Sequence, residues 1–394
     1  MVFRNLGRGT FGGLIVGVAA ISLMVGFASA AVIAIKSTLE PAIASPNSSQ
    51  SNTSSSEPST LSVPQQNSEM ANLVIQPQFD EAGAFSSRRA WVRIGNTKRG
   101  YIDKTGNVVI KPQFDAAWDF SEGLARVEIC CNYKWGYIDQ AGNIAIPGQF
   151  DRASDFSEGL AAVKIGNKEG YIDKTGNVVI KPQFDVAGNF SEGLAFVRSS
   201  NNKYGYIDKM GNIVIPGKFN WASDFSEGLA RVSIVEGNGD KWGFINKTGN
   251  IVIKPQFEQA SNFSQGLALV RIGDKWGFVN KTGNVVIKPQ FNWASDFSEG
   301  LAVVKIGDKS GYIDKTGNVV ISGQFNGAGK FSEGLASVRI GNKWGFIDKT
   351  GNIVIQPQFD QIFGGFSEGL AMVRIGDKLG YVSRCWLTDK TQQA

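Results

Sequence analysis

The stretch LALVRIGDKWGFVNKTGNVVIKPQFNWASDFSEG, residues 267–300, decides the fold, because much of the chain repeats it. Its first half contains two runs of β-branched and aromatic residues, 267–272 and 276–280, which predict two strands. Gly273 and Asp274 lie between the two runs and suit a tight hairpin turn. The stretch therefore begins with a β-hairpin.

The second half adds one more strand and a return segment. Residues 281–284 predict a turn, in which Gly283 takes the positive φ that the turn requires. Residues 285–287 predict a third strand, and Pro289 is expected to end it because proline cannot donate to a strand ladder. The segment 291–300 returns the chain to the next unit, with a short fourth strand as an option.

This unit occurs nine times in tandem. A glycine that precedes an aromatic side chain marks each unit, and successive markers lie 34–38 residues apart. A unit of this length cannot enclose a core alone, so neighbouring units must stack. The markers are Gly100, Gly136, Gly170, Gly205, Gly243, Gly277, Gly311, Gly345 and Gly380.

Two phenylalanines recur in every unit and predict the core. One ends the P-Q-F motif or its equivalent: Phe79, Phe114, Phe150, Phe184, Phe219, Phe257, Phe291, Phe325 and Phe359. The other precedes the S-E-G motif or its equivalent: Phe85, Phe120, Phe156, Phe190, Phe225, Phe263, Phe297, Phe331 and Phe366. An aromatic side chain that every unit keeps is expected to pack rather than to contact a ligand.

The strand order leaves two architectures open. The repeats begin with a third strand at residues 73–75 and end with first and second strands at residues 371–375 and 380–383. A β-propeller would bring these ends together, although propellers typically have about 4–8 blades. An open β-solenoid with capping end units is the alternative. The predicted fold class is all-β and propeller-like, with nine units of three or four strands.

The Trp-Gly pair of this unit carries a family resemblance. The theme K-W-G-[YF]-I-D-K-T-G resembles the bacterial WG-repeat (KWG) proteins, and the resemblance covers residues 72–383. It implies an all-β repeat module, often on exported or envelope proteins, and it supplies no catalytic residue. The pairs stand at Trp135-Gly136, Trp242-Gly243, Trp276-Gly277 and Trp344-Gly345.

The amino-terminal segment, residues 1–36, predicts a signal anchor or a signal peptide. Phe11 begins, and Ile35 ends, a run without charged residues that exceeds the ~20 residues needed to span a bilayer. An uncleaved anchor would place the repeats outside the cytoplasm. Ala28 and Ala30 suit a signal peptidase, so a cleaved signal and a secreted or periplasmic protein are the alternative.

Three further segments follow the amino-terminal one. Residues 37–71 are rich in serine and predict a disordered linker, because they lack the apolar side chains that would offset the entropy cost of ordering. Residues 72–383 form the predicted repeat domain, and residues 384–394 a carboxy-terminal tail.

Composition excludes several function classes. The 394 residues include no histidine, which removes Ser-His-Asp and Cys-His nucleophiles and histidine-ligated zinc. The 40 basic residues barely exceed the 35 acidic ones, and no basic run predicts a nucleic-acid interface. We therefore expect no cofactor, no metal site and no nucleic-acid partner.

Two sets of acidic residues recur in the turns. One set accepts hydrogen bonds in the S-E-G turn, where Gln265 can replace the carboxylate, and the other forms Asx turns in D-K-T-G, where Asn246 and Asn280 can replace it. Both are predicted to be structural. The two sets are Glu122, Glu158, Glu192, Glu227, Glu299, Glu333 and Glu368, and Asp103, Asp173, Asp314 and Asp348.

Positions that vary between units are better candidates for ligand contact. The position before the marker glycine holds tryptophan in four units but Glu169 or Ser310 in others, so it is predicted not to be fully buried. The return segment carries tryptophan occasionally. The candidate ligand-binding residues are Trp135, Trp242, Trp276 and Trp344 before the glycine, and Trp118, Trp221 and Trp293 in the return segment.

These observations favour a non-enzymatic binding or scaffold module of the bacterial cell envelope. Its partner is predicted to be a protein or a cell-wall glycan, recognised through one loop-bearing face. A structural spacer is the alternative, and a hydrolase that uses paired repeat glutamates is a third hypothesis.

Overall fold

A computed structural model describes residues 73–95, 98–129, 133–236 and 239–384. The predicted amino-terminal segment and linker lie outside the described residues, as do Cys130, Cys131, Cys385 and all of the predicted tail after Arg384. None of the described residues forms a helix long and apolar enough to cross a membrane.

The described residues form 35 short strands. They are β1 (Leu73–Phe79), β2 (Glu81–Ala82), β3 (Ala90–Arg93), β4 (Arg99–Ile102), β5 (Val108–Phe114), β6 (Ala116–Ser121), β7 (Leu124–Ile129), β8 (Lys134–Ile138), β9 (Ile144–Phe150), β10 (Arg152–Ala153), β11 (Leu160–Ile165), β12 (Lys168–Asp173), β13 (Val178–Phe184), β14 (Val186–Ala187), β15 (Ala195–Arg198), β16 (Tyr204–Ile207), β17 (Ile213–Phe219), β18 (Trp221–Ala222), β19 (Leu229–Glu236), β20 (Gly239–Asn246), β21 (Ile251–Phe257), β22 (Gln259–Ala260), β23 (Leu267–Ile272), β24 (Lys275–Asn280), β25 (Val285–Phe291), β26 (Ala302–Ile306), β27 (Lys309–Ile313), β28 (Val319–Phe325), β29 (Gly327–Ala328), β30 (Ala336–Ile340), β31 (Lys343–Ile347), β32 (Ile353–Phe359), β33 (Gln361–Ser367), β34 (Leu370–Ile375) and β35 (Lys378–Ser383).

These strands assemble into nine antiparallel sheets, which we number as blades. Blade 1 is β2–β5, blade 2 is β6–β9, blade 3 is β10–β13, blade 4 is β14–β17, blade 5 is β18–β21, blade 6 is β22–β25, blade 7 is β26–β28, blade 8 is β29–β32, and blade 9 is β33–β35 with β1. In blade 7 a single bridge between Ala294 and Val304 replaces the first strand. The optional fourth strand of the sequence prediction is therefore present, as the first strand of the following blade. The three predicted strands are the second, third and fourth strands of each blade, as β23, β24 and β25 are in blade 6.

The two ends of the repeat domain meet in blade 9. Strand β1 pairs antiparallel with β35, with Leu73 opposite Val382, Ile75 opposite Tyr381, and Phe79 opposite Leu379. The amino-terminal strand thus completes the last blade. The fold is a closed nine-bladed β-propeller, and the alternative of an open solenoid is wrong.

Pro289 does not end the third predicted strand. Strand β25 runs through this proline from Val285 to Phe291, and its pairing with β24 shifts register on either side of Phe278. Strand β25 is the outer edge of its sheet, and an edge strand or a bulge tolerates the missing N–H of proline. The prediction that Pro289 ends the strand was wrong for this reason.

The register shifts around Phe278 mark an irregular pairing of β24 with β25. This pairing explains why the Trp-Gly pair contains a glycine. A Cβ atom on Gly277 would lie 2.5 Å from the carbonyl oxygen of Ile287 and 2.6 Å from the nitrogen of Pro289. Both contacts are with backbone and are too short for any side chain. Only glycine lets β24 and β25 approach this closely.

The core consists of nine apolar clusters, and each of them joins two successive blades. The cluster that closes the ring brings Ile75, Phe79 and Tyr381 of blade 9 together with Phe85 and Val92 of blade 1. All eighteen recurrent phenylalanines are at most 9% exposed, so the prediction that they pack is confirmed. In every pair of neighbouring blades an aromatic ring of the third strand contacts the S-E-G phenylalanine of the next blade, as Phe278 and Phe297 do at 4.8 Å.

A ring of hydrogen bonds passes through the turns that follow the first strands. The hydroxyl of Ser264 donates to the carbonyl of Phe297 in the next blade at 2.9 Å. The same bond recurs at all nine junctions, and the bond from Ser367 to the carbonyl of Phe85 closes the ring at 2.7 Å. The first strands therefore lie nearest the axis, whereas the fourth strands carry exposed residues such as Val285 at the rim.

The S-E-G glutamates accept hydrogen bonds from turns, as predicted, but the turns belong to the next blade. Glu158 accepts from the backbone N–H of Gly193 at 3.0 Å and pairs with Lys209 at 3.1 Å. Gln265 keeps the first of these bonds, since its side-chain oxygen accepts from the N–H of Gly300 at 2.8 Å. These residues therefore join blades to each other.

The D-K-T-G aspartates form Asx turns, which confirms their predicted structural role. The Oδ1 atom of Asp173 accepts from the N–H groups of Thr175 and Asn177, both at 2.9 Å. The hydroxyl of Thr175 also donates to it and is the main cause of the lowered pKa of this carboxyl group. Asn280 accepts from its own turn in the same way.

Truncation of the closing strand tests the ring. Ile75 in β1 and Ile215 in β17 occupy equivalent positions and are 2% and 1% exposed. In a closed ring, Ile75→Ala and Ile215→Ala are each expected to lower the free energy of unfolding by about 2–5 kcal/mol. Chemical denaturation of the full chain measures both, with Val74→Ala, at an exposed position of the same strand, as the control. A loss at Ile75 well below the loss at Ile215 would contradict ring closure.

The ion pairs between blades predict an acid-sensitive ring. Burial alone would raise the pKa of Glu158, but hydrogen bonds from Lys209 and Gly193 outweigh it and hold the pKa below its usual 4.5. A lowered pKa contributes stability above the unfolded-state pKa, and this contribution is lost as pH falls through the folded-state pKa. The free energy of unfolding is therefore expected to be flat near pH 7 and to fall below about pH 4.5.

Glu158→Gln isolates one of these pairs. Gln265 shows that an amide preserves the bond to the glycine N–H, so the variant should lose about 0.2–1 kcal/mol at pH 7, as surface pairs do. It should also lose less stability than the wild type between pH 5 and pH 3. Denaturation curves across this range measure the difference, and an unchanged acid slope would refute the role of the carboxylate.

Candidate functional site

The two sides of the ring carry different loops. In blade 6, the pairing of Ile272 with Lys275 closes the hairpin at one end of the strands, and the pairing of Leu267 with Asn280 lies at the other end, beside the S-E-G and K-T-G turns. We call the side with the hairpins between second and third strands the hairpin face. Trp276 directly follows its hairpin and lies near this face.

The position before the marker glycine is more buried than the sequence suggested. Glu169, Tyr204, Ser310 and Leu379 are each at most 8% exposed, so the prediction that this position is not fully buried was wrong for these units. The Oε2 atom of Glu169 accepts from the N–H of Ala187 at 2.6 Å. A backbone partner of this kind lets a carboxylate occupy the junction between two blades.

Trp118 and Trp135 belong to a stack of alternating indole and guanidinium groups. Their ring centroids are 4.7 Å apart, and the guanidinium of Arg126 lies 4.6 Å from the Trp118 ring. Arg99 lies 4.7 Å from Trp91 and 5.6 Å from Trp118. These contacts pack Trp118 between blades 1 and 2, and Trp135 also packs against the apolar cluster that joins blades 2 and 3. Both tryptophans are therefore engaged by the protein itself.

Trp344 also packs inside the domain. It joins the apolar cluster that contains Phe359, and its ring lies 3.1 Å from where a Cβ on Gly327 would stand. Arg339 approaches the ring at 5.9 Å. Neither of the two grooves described below includes this side chain.

Three candidate tryptophans meet in one open groove of about 580 Å³, which we call the aromatic groove. Trp242 comes from blade 5, Trp276 from blade 6, and Trp293 from the segment that enters blade 7. Trp293 is 45% exposed. Glu258 lines the same groove and accepts from the N–H of Gly273 at 3.2 Å, which places this end of the groove at the hairpin face.

Small side chains keep the aromatic groove open. Trp118 stands two residues before Phe120, and the equivalent positions in blades 6 and 7 hold Ser261 and Ser295. Each serine hydroxyl accepts from a neighbouring strand: Ser261 from the N–H of Leu269 at 3.0 Å, and Ser295 from the N–H of Val303 at 3.1 Å. The volume that an indole fills in blade 2 is left free here.

The charges in the aromatic groove are balanced. Asp296 pairs with Lys330 at 2.9 Å, and Arg231 lies 4.9 Å from the Trp242 ring. Burial lowers the pKa of Arg231, against the attraction of Asp296, yet the guanidinium group stays protonated at neutral pH. With Glu258, the lining includes two cationic and two anionic side chains.

A second, more polar groove of about 410 Å³ surrounds Trp221. The indole is 53% exposed and stacks on Tyr204 with ring centroids 5.7 Å apart and planes 20° apart. Asn202, Asn220 and Asp240 are among the residues that line the groove. Trp221 therefore presents one indole face on a polar surface.

The structure thus divides the seven predicted ligand-binding tryptophans into three groups. The aromatic groove is lined by Trp242, Trp276 and Trp293, of which the first two also pack against apolar clusters. The second groove holds Trp221, and Trp118, Trp135 and Trp344 pack within the domain. Sequence reasoning missed Arg231, Asp296 and Lys330. The signal was present at position 330, where a lysine takes the place that acidic or amide side chains occupy in most other units.

No metal site is built from the described residues, among which no three acidic or cysteine side chains gather closely enough to hold an ion. The chemistry of the aromatic groove is therefore that of indole faces, one guanidinium, one ammonium and two carboxylates. Such a lining can bind a ligand by stacking and hydrogen bonding.

The division of tryptophans can be tested by stability. Trp118→Ala removes a ring that is packed between blades and is expected to cost about 1–3 kcal/mol of unfolding free energy. Trp293→Ala, at an exposed ring, should change it by less than about 0.5 kcal/mol. Thermal and chemical denaturation of the two variants give the comparison. Equal losses would contradict the division.

Several solved structures are similar to this chain. The computationally designed protein Ika8 aligns with 10% identity and a TM-score of 0.42, over 78% of this chain and 96% of the designed one. BamB from Moraxella catarrhalis aligns with 8% identity and a TM-score of 0.39, over 78% and 99% of the two chains. PorZ, a surface component of the type-IX secretion system of Porphyromonas gingivalis, aligns with 11% identity and a TM-score of 0.31, over 79% and 52%.

The search of curated proteins finds no match to this chain. The family comparison does find one, and its matches repeat along nearly the whole propeller. The profile of the WG containing repeat matches residues 69–97, 100–129, 135–168, 170–204, 204–237, 242–276, 276–309, 311–344 and 344–378. These nine matches correspond to the nine units that the sequence and the blades define, and they cover well over half of the chain. The chain therefore belongs to the WG-repeat family.

Proposed function

We propose that this protein is a non-enzymatic binding module of the bacterial cell envelope, and that it recognises a protein or glycan partner at the hairpin face. The aromatic groove carries this proposal. Exposed tryptophans are enriched where proteins bind partners, because they offer a large apolar surface together with a polar N–H group. One exposed tryptophan, Trp293, and two partly buried ones, Trp242 and Trp276, meet here in a groove of about 580 Å³, which lies within the range of ligand sites.

The repeat glutamates favour binding over hydrolysis. A hydrolase needs two carboxylates that are free to transfer protons and to attack, whereas Glu122, Glu158 and Glu299 each pair with a lysine of another turn at 3.0–3.1 Å. Their pKa values lie below the usual value for glutamate. A carboxylate held in this way is a poor general acid at neutral pH.

The envelope location is inferred from the sequence before the propeller. The uncharged run that begins at Phe11 would hold the chain in the cytoplasmic membrane in a single pass, and the serine-rich residues 37–71 would hold the propeller away from the bilayer. The alternative is a secreted or periplasmic propeller that has lost its signal peptide. In both cases the partner is outside the cytoplasm.

Retention of solubilised envelope material tests the binding role. The immobilised full chain should retain a component that Trp242→Ala/Trp276→Ala loses at least tenfold, because both indoles line the aromatic groove. Trp135→Ala is the matched control, since Trp135 occupies the same position of the unit but packs against Trp118. This control should retain the component within about twofold, provided that circular dichroism shows all variants folded.

Two results would count against the proposal. Retention of nothing by the wild type would favour the structural spacer, for which no partner is needed. Equal loss in the groove variant and in the Trp135 variant would place recognition elsewhere on the ring.

A further inference from the structure

We propose that the aromatic groove binds an uncharged saccharide chain. This inference rests on the proposed binding function and specifies the class of ligand. The groove spans segments of blades 5 to 8, from Trp242 to Lys330. Its three indoles, its balance of charges and the two serines that open it carry the inference.

The indoles supply the apolar half of the recognition. A pyranose ring has faces of C–H groups and a rim of hydroxyl groups, so one ligand needs both flat apolar surfaces and hydrogen-bonding side chains. Trp293, at 45% exposure, offers such a flat surface. Trp242 and Trp276 contribute two more indoles from the two preceding blades.

The charged side chains supply the polar half. A hydroxyl group donates one hydrogen bond and accepts others, and the groove offers acceptors on Glu258 and Asp296 and donors on Arg231 and Lys330. The Lys330, Asp296 and Glu258 side chains are 50%, 32% and 33% exposed. They can therefore reach a ligand without breaking their own ion pairs.

The balance of charge selects among ligands. Two cations and two anions leave no net charge in the lining, so an anionic saccharide would lose water from its carboxylates without a net attraction in return and should bind more weakly than a neutral one. An apolar peptide side chain would remove Asp296 and Lys330 from water without offering them hydrogen bonds, which is unfavourable. A chain of hydroxyl groups replaces the water that these groups lose.

The chain contains its own example of a filled groove. Trp118 of blade 2 occupies the position that Ser295 holds in blade 7, and there it packs between Arg99 and Arg126. Ser295→Trp should therefore fill the aromatic groove with an indole at the position of the unit where blade 2 carries one. Trp276→Ala/Trp293→Ala removes two stacking surfaces instead, so the two variants block the site by opposite physical changes.

Binding of defined oligosaccharides to the full chain tests the inference. Calorimetry and tryptophan fluorescence are measured with glucose and N-acetylglucosamine oligomers of four to six units, and with oligogalacturonate of equal length as the anionic control. At least one neutral oligomer should bind. Trp276→Ala/Trp293→Ala and Ser295→Trp should each weaken its binding at least tenfold, Trp135→Ala less than twofold, and oligogalacturonate should bind at least tenfold more weakly.

Treatment of the retained envelope component separates the two proposals. Periodate cleaves the vicinal diols of sugars, and a protease cleaves peptides. Retention that is lost after periodate and kept after protease supports the saccharide. Retention lost only after protease, with no oligomer bound, would overturn the saccharide while the binding function stands.

Other outcomes would overturn the binding function or the assignment of the ligand to this groove. If neither envelope material nor any oligomer is bound, both proposals fail. If the neutral oligomers bind equally to the wild type and to both groove variants, or if oligogalacturonate binds as well as they do, the assignment to this groove is wrong. Should Ser295→Trp unfold, the double alanine variant decides alone, because it changes no hydrogen bond of the strands.

Discussion

The pairing of β1 with β35 is the constraint on which the rest of the structure depends. Each blade buries its apolar face only against a neighbour, so an open array would leave one face uncovered at each end. The cluster of Ile75, Phe79 and Tyr381 against Phe85 and Val92 covers both end faces at once. The ring of serine bonds closes at the same junction, from Ser367 to the carbonyl of Phe85. Nine blades are consequently held by nine equivalent junctions.

This uniform scaffold tolerates variation between the bonds that join its blades. The S-E-G and D-K-T-G turns carry one set of bonds between blades, and one change there is matched: the S-E-G glutamate is absent at Ser87, and Gln140 stands where the next blade would supply its lysine. The hairpin face carries a second, less uniform set of bonds between blades, in which a lysine of one hairpin and the backbone N–H of the next hairpin meet on one side chain, as Lys241 and Gly273 do on Glu258. Side chains in the return segments between blades nevertheless differ, as Trp118 and Ser295 do, without loss of closure. A binding surface can therefore be built between blades while the bonds that join them are kept.

Much of the fold could be predicted because the determinants are local and repeat. The phenylalanines that recur in every unit are core, and the Asx turns at Asp173 and Asn280 follow from four adjacent residues. The errors have physical causes of another kind. Pro289 lies inside a strand because that strand is an edge, and Glu169 is buried because a backbone N–H of the next blade binds it. The sequence of one unit reveals neither the edge position of the strand with Pro289 nor the backbone partner of Glu169.

The sequence by itself determined the nine units, their meander of strands, their core aromatic residues and the set of variable tryptophans, since all of these depend on residues within one unit or on its repetition. Only the tertiary structure decided that the ring closes and which tryptophans line an open groove. Ring closure requires that the rotations between successive blades add up to one full turn. This sum cannot be recognised from the sequence of a single unit. The surroundings of each tryptophan depend on contacts within and between blades: Arg99 of blade 1 and Arg126 of blade 2 both lie against Trp118, whereas Trp293 stays exposed and lines the aromatic groove with Trp242 and Trp276 of the two preceding blades.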